Sequence, residues 1–69
     1  MTLREIRNAY EQNYQLMVET IVEMGGEKKI AEHREKKTSL FRKLRQLQRI
    51  EHQLSDMEEL LQTESVTSR

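Results

Sequence analysis

The chain has 69 residues, of which 35% are charged and 35% hydrophobic, and its acidic and basic side chains balance to zero net charge. A chain this short forms one domain at most, and its core is marginal without a disulfide, a metal or a second chain. There is no cysteine, which excludes disulfides and thiolate metal sites. We therefore expect a single domain over residues 1–69 that is stabilised by association, most simply as a homodimer.

Composition favours helices. The chain has no proline, no tryptophan and two glycines. A charge-rich, aromatic-poor composition with helical periodicity is typical of long helices and coiled coils. No apolar run approaches the ~18 residues of a membrane span, and no charged-then-apolar signal segment opens the chain. We expect an all-α protein of the cytoplasm.

The first helix is predicted over residues 3–24. Thr2 and Glu5 have the spacing of a capping box, in which each side chain accepts a hydrogen bond from the other residue's backbone N–H. Gly25-Gly26 supply the left-handed position past a helix C-terminus and allow a tight reversal, which predicts an antiparallel helical hairpin. The apolar side chains of the helix form one broad face that should pack as core: Leu3, Ile6, Tyr10, Tyr14, Met17, Val18, Ile21 and Met24.

A long second helix is predicted over residues 27–62, with a tail at 63–69 that should fray. No apolar residue lies between Glu32 and Ser39, which leaves two alternatives. The stretch is a solvated part of one continuous helix, or it is a break at which Thr38 or Ser39 caps a third helix. We favour the continuous helix because neither glycine nor proline interrupts it. From Leu40 to Leu61 leucine recurs every seventh residue, which is typical of a helix that packs on another helix.

The length of the second helix predicts a partner. At 1.5 Å per residue the two helices span about 33 and 54 Å, which leaves the last ~20 Å of the second without cover from the first. We expect this part to dock on a second copy or on another protein, in a dimeric bundle or coiled coil. The predicted partner-binding side chains follow a seam of alternating three- and four-residue steps: Leu47, Ile50, Leu54, Met57 and Leu61.

A basic segment supports an alternative function. Residues 27–49 contain nine basic and three acidic side chains, a balance of +6, between acidic ends of −2 and −4. A basic centre suits antiparallel self-pairing, and it also suits an anionic partner such as nucleic acid. The alternative is a small dimeric nucleic-acid-binding regulator that uses residues 36–49. Its candidate anion-binding residues are Arg42, Lys43, Arg45 and Arg49.

No pattern in the sequence indicates catalysis. His52 and Asp56 lie four residues apart on one helical face, but a metal site needs further ligands, so we interpret them as a solvent-facing pair. We interpret His33 in the same way. Two helices leave little room for a pocket that could assemble a nucleophile and an oxyanion site. We predict a non-enzymatic protein with no metal, no cofactor and no small-molecule substrate.

The chain resembles in topology the small helical-hairpin co-chaperones of type III secretion needle subunits. The shared features are the chain length, the two predicted helices, the lack of cysteine and the reversal at Met24-Gly25-Gly26. The resemblance implies a hairpin that holds a partner chaperone and keeps a polymerising subunit soluble. Together, these features predict a protein–protein interaction module (a small chaperone, adaptor or regulatory inhibitor). Its affinity for a partner helix would come from the leucine-rich seam.

Overall fold

The computed structural model describes the backbone of residues 2–67 and the side-chain surroundings of residues 2–62, and this part of the chain is all-helical. Helix α1 spans Leu3–Met24, a short 3-10 turn follows at Glu27–Lys29, and helices α2 and α3 span Ile30–Lys36 and Ser39–Thr67. α1 and α3 pack against each other as the helical hairpin that the sequence predicts. None of these helices, over the residues described, is long and apolar enough to cross a membrane.

Both ends of α1 are capped by the residues expected to do so. The Thr2 hydroxyl accepts from the Glu5 N–H at 3.2 Å, and the Glu5 carboxylate accepts from the Thr2 N–H at 3.4 Å. At the other end Gly25 is left-handed, with φ of 106°. The N–H groups of Gly25 and Gly26 donate back to two carbonyls of the last turn, at 3.0 and 2.9 Å. This Schellman arrangement ends the helix and turns the chain.

The structure contradicts the favoured prediction of one continuous helix over residues 27–62. α2 ends at Lys36, and Lys37 adopts a left-handed conformation with φ of 53°. Two N–H groups again donate back to the last turn, both at 3.2 Å. The Thr38 hydroxyl then accepts from the Phe41 N–H at 3.2 Å and caps α3. The alternative of a break is therefore correct, because the polar stretch has no apolar face to hold a straight helix against α1, while Thr38 offers a cap.

The far end of α3 also differs from the prediction. α3 continues through Thr67 instead of ending at Gln62, and fraying of residues 63–69 stays a prediction. Residues 68 and 69 lie outside the described residues. We name the segment between α1 and α3, residues 25–38, the joint. In a continuous helix, residues of the joint would have packed along α1. In the structure α3 begins only after the joint, so α1 packs against a later part of α3 than the predicted helix lengths imply.

Lys37 offers a direct test of the break. A left-handed conformation costs an L-residue about 1–2 kcal/mol, and glycine avoids this cost. We expect Lys37→Gly to raise the free energy of unfolding by about 1 kcal/mol in urea denaturation. The neighbouring variant Lys36→Gly, inside α2, should lower it by up to ~1 kcal/mol. If both variants lowered stability equally, the left-handed position would be misassigned.

The core lies in one layer between α1 and α3. On α1, buried positions recur every seven residues at Ile6, Asn13 and Thr20. On α3, Leu47 and Leu54 have the same spacing. Seven-residue periodicity keeps one seam of each helix facing the other along the hairpin. The buried apolar side chains are Ile6, Met24, Leu44, Leu47 and Leu54.

Candidate docking surfaces

The five predicted partner-binding side chains of α3 do not share one surface. Leu47 and Leu54 are 7% and 6% exposed, so a partner could reach them only if the hairpin opened. Ile50 is 42% exposed, and Met57 and Leu61 are half-buried. The placement of Leu54 in an uncovered overhang is therefore wrong. The break is the reason, because α1 is set against α3 from Ser39 onward and covers Leu54.

Ile50, Met57 and Leu60 lie to one side of this core, and Leu61, seven residues after Leu54, lies at its edge. Ile50 and Met57 are seven residues apart and so share a face, and Leu61 follows Met57 by four residues. Leu60, three residues after Met57, is 65% exposed. We name Ile50, Met57, Leu60 and Leu61 the α3 stripe. It is the part of the predicted seam that a partner helix could reach with the hairpin closed.

A second apolar surface lies on α1. Tyr14, Val18 and Val22 recur every four residues and are 65%, 42% and 69% exposed; we name them the α1 stripe. The prediction that Tyr14 and Val18 belong to the core is wrong. The buried seam runs through Asn13, and the next residue along a helix points about 100° away. The seven-residue spacing of Ile6, Asn13 and Thr20 would have revealed this, but two of the three are polar.

Asn13 joins the two long helices in the middle of the core. Its Nδ2 donates to the Leu47 carbonyl oxygen at 2.9 Å, and the Met17 sulfur lies 3.6 Å away. A buried amide needs such partners, because desolvation without them costs free energy. The sequence analysis missed Asn13, since it searched for apolar periodicity alone.

His33 is not the solvent-facing residue that the sequence suggested. Its Nε2 lies 2.9 Å from the Met24 carbonyl oxygen, which can only accept, so Nε2 donates there. Its Nδ1 lies 2.9 Å from the Thr38 hydroxyl, the cap of α3. One imidazole therefore connects the end of α1 to the start of α3. The cleft around it, lined by Met24, Lys29, Glu32, His33 and Lys36, is part of the joint.

Glu32 braces α2 on the outside of the joint. Its carboxylate pairs with Lys36 at 2.9 Å and Lys29 at 3.6 Å. The hydrogen bond and charge of Lys36, with the charge of Lys29, hold the pKa of Glu32 below its ordinary value. Because this pKa is lowered in the folded state, the stabilisation is present above the ordinary carboxyl pKa and is lost as pH falls through the lowered value. All three side chains are exposed, so the effect on stability is small.

The break also assembles a basic cleft. It has a volume of about 360 Å³ and is lined by Arg34, Lys37, Phe41, Arg42 and Arg45. Two of the four predicted anion-binding residues, Arg42 and Arg45, are in this lining, and Lys43 and Arg49 are exposed outside it. Arg34 and Lys37 join them because α2 ends beside the start of α3. The sequence analysis, which favoured a continuous helix, did not bring these two residues to the site.

The histidines and carboxylates form no metal centre in the part of the chain that the structure describes, where no group of three such side chains could hold an ion. His52 and Asp56 are both exposed on α3. No family model matches the chain, and the comparisons with curated proteins and with solved structures find no significant match. The functional argument therefore rests on the surfaces described above.

Proposed function

We propose that the protein is a non-enzymatic interaction module of the cytoplasm (a small chaperone, adaptor or regulatory inhibitor) whose closed hairpin docks a partner helix. The observation that carries the proposal is the arrangement of its exposed apolar side chains. Among residues 2–62, five of the seven exposed large apolar side chains belong to the α3 stripe or the α1 stripe, and the other two are Leu3 and Leu16. Contiguous apolar surface on a small protein marks an interaction site more often than an accident of composition.

The proposed docking mode is helix against helix. Side chains four residues apart on one face, as in the α1 stripe, match the anchor spacing with which amphipathic helices bind one another. The flanking charges then select the partner. Leu47 and Leu54, which the sequence assigned to binding, act in this proposal through the hairpin core that holds the stripes in place.

Site-specific photo-cross-linking tests the proposal. A photoreactive residue at Ile50, Leu60 or Val22 should give defined adducts, whereas the exposed polar positions Gln48 and His52, on the other side of α3, should give none. Adducts formed at Val22 should disappear when Val18→Asp disrupts the same stripe, provided that far-UV circular dichroism is unchanged. The absence of adducts at all three stripe positions, with this chain and with any other protein, would refute docking through the stripes.

A second candidate function, a small dimeric nucleic-acid-binding regulator, is favoured by the basic cleft, since its lining contains no acidic side chain. If the cleft binds phosphates, the logarithm of affinity for a labelled DNA or RNA should fall linearly with the logarithm of salt concentration. The double variant Arg42→Glu, Arg45→Glu should abolish binding. Reversing two exposed arginines of α1, Arg4→Glu and Arg7→Glu, is the matched control. No binding at low salt would dispose of this candidate.

A further inference from the structure

The charges of α3 change sign at one exposed residue, Ile50. Four basic and no acidic side chains lie between Ser39 and Arg49, and four acidic and no basic ones lie between Glu51 and Gln62. The basic half contains Arg42, Lys43, Arg45 and Arg49, and the acidic half contains Glu51, Asp56, Glu58 and Glu59. All eight charged side chains are exposed or half-buried.

This order of charges does not stabilise α3 as a single helix. The N-terminus of a helix favours acidic side chains and the C-terminus basic ones. α3 has the reverse order, and its first turn contains no acidic residue. The sign change therefore calls for an explanation outside the helix itself.

Contacts within the hairpin do not supply that explanation. α1 carries its charges in the same order along the chain, with Arg4 and Arg7 near its start and Glu19 and Glu23 near its end, so the antiparallel hairpin brings unlike charges to the same end of the molecule. Over residues 2–62, however, both ion pairs within 4 Å belong to Glu32 in the joint, and none joins α1 to α3. The charges of α3 thus remain available to a second molecule.

We propose that α3 pairs antiparallel with α3 of a second copy of this chain, with the two-fold axis at Ile50. This arrangement sets the basic half of each helix against the acidic half of the other. This inference rests on the proposed function, because it identifies the partner helix that binds the α3 stripe as α3 of the second copy. The α1 stripe stays free for a different protein.

The register follows from the symmetry. Ile50 lies on the axis, and the two helices run in opposite directions from it. A residue seven positions before Ile50 therefore lies level with the residue seven positions after Ile50 in the second copy. Ile50 then meets its own counterpart, and Lys43 lies level with Met57 of the second copy. Lys43, Ile50 and Met57 are seven residues apart and share one face, so the lysine stem covers the methionine. The basic half of each helix then runs alongside the acidic half of the other, and this opposite-charge pairing sets orientation as well as affinity.

Solution mass over a concentration series is the first test. We expect a monomer–dimer equilibrium that shifts toward monomer as salt is raised. Ile50→Asp should raise the dimer dissociation constant at least about tenfold, because it places two carboxylates at the centre of the interface. Val18→Asp, at an apolar position on α1 with the same 42% exposure as Ile50, should leave it unchanged. A chain that stays monomeric throughout overturns the inference, while cross-links from Ile50 to a different protein would still support the proposed function.

Charge reversal tests the register independently. Arg42→Glu with Arg49→Glu cancels the net positive charge of the basic half of α3, and Glu51→Lys with Glu58→Lys cancels the net negative charge of the acidic half. Each double variant should be monomeric alone, and an equimolar mixture should form a heterodimer. If the charges serve only the hairpin, both variants will lose thermal stability and the mixture will stay monomeric, which overturns the inference.

Cysteine cross-linking distinguishes antiparallel from parallel pairing in this cysteine-free chain. Ile50→Cys should form an intermolecular disulfide in either orientation. Lys43→Cys should not pair with itself, because antiparallel geometry separates the two copies of that position by ~21 Å along the helix axis. It should instead pair with Met57→Cys when the two variants are mixed. A disulfide between two Lys43→Cys chains would establish a parallel dimer and overturn the proposal.

Discussion

Leu54→Asp is expected to unfold the hairpin. The Leu54 side chain lies in the core between α1 and α3, so the substitution removes apolar contacts worth about 2–5 kcal/mol and buries a carboxylate. The core of a chain of this size rarely supplies more than about 3–5 kcal/mol of stability. α1 released from α3 would not remain helical, since an isolated amphipathic helix is marginal in water. Far-UV circular dichroism should therefore show the loss of most helical signal.

Leu60→Asp is the matched control, with the same substitution on the same helix at an exposed position. It should keep the helical signal and shift the free energy of unfolding by no more than about 0.5 kcal/mol. The sequence alone predicts that Leu54 binds a partner. A folded Leu54→Asp chain that fails only to associate would restore that interpretation and contradict the packing described here.

His33→Ala is expected to lower the free energy of unfolding by about 2 kcal/mol, because it removes two hydrogen bonds worth about 1 kcal/mol each. The lost bonds, to the Met24 carbonyl and the Thr38 hydroxyl, hold the end of α1 to the start of α3. Urea denaturation followed at 222 nm measures the change.

His52→Ala provides the comparison, since His52 is exposed on α3. Its effect should stay within about 0.5 kcal/mol. Equal effects of the two substitutions would show that the joint does not depend on the imidazole of His33. Hydrogen exchange should further show faster exchange at the Phe41 N–H in His33→Ala, because the Thr38 cap loses its support.

The hairpin could be predicted from local signals. The Thr2–Glu5 capping box predicts the start of α1, and Gly25-Gly26 predict its end, from residue type alone. Leucines at seven-residue spacing predict a helix that packs on another helix. The break at Lys37 could not be predicted in the same way. A lysine occupies a left-handed position that glycine usually fills, so the strongest marker of a helix end is missing. Only Thr38 and Ser39 indicated a cap for a third helix, and two hydroxyl side chains in a polar stretch are a weak signal.

The candidate surfaces were predicted less well than the fold, for a reason that Leu54 and Tyr14 share. Apolar periodicity says that a residue is on an apolar face, but not whether that face meets the same chain or another. The answer depends on where α1 and α3 are set against each other, which the joint decides. Asn13, which joins the two helices, and His33, which holds the joint, are polar, so a search for apolar periodicity does not find them.

The hydrogen bond from Asn13 to Leu47 has a consequence for how the hairpin chooses its alignment. Leucine recurs at residues 40, 47, 54 and 61, and every residue offers a backbone carbonyl. If α1 slid along α3 by one heptad, Asn13 would find another leucine carbonyl and the apolar seam would still match. Neither the seam nor the asparagine can therefore tell one alignment from the next. The short joint and His33 therefore determine the alignment of α1 along α3, because the seven-residue repeat alone would allow the two helices to shift by one heptad.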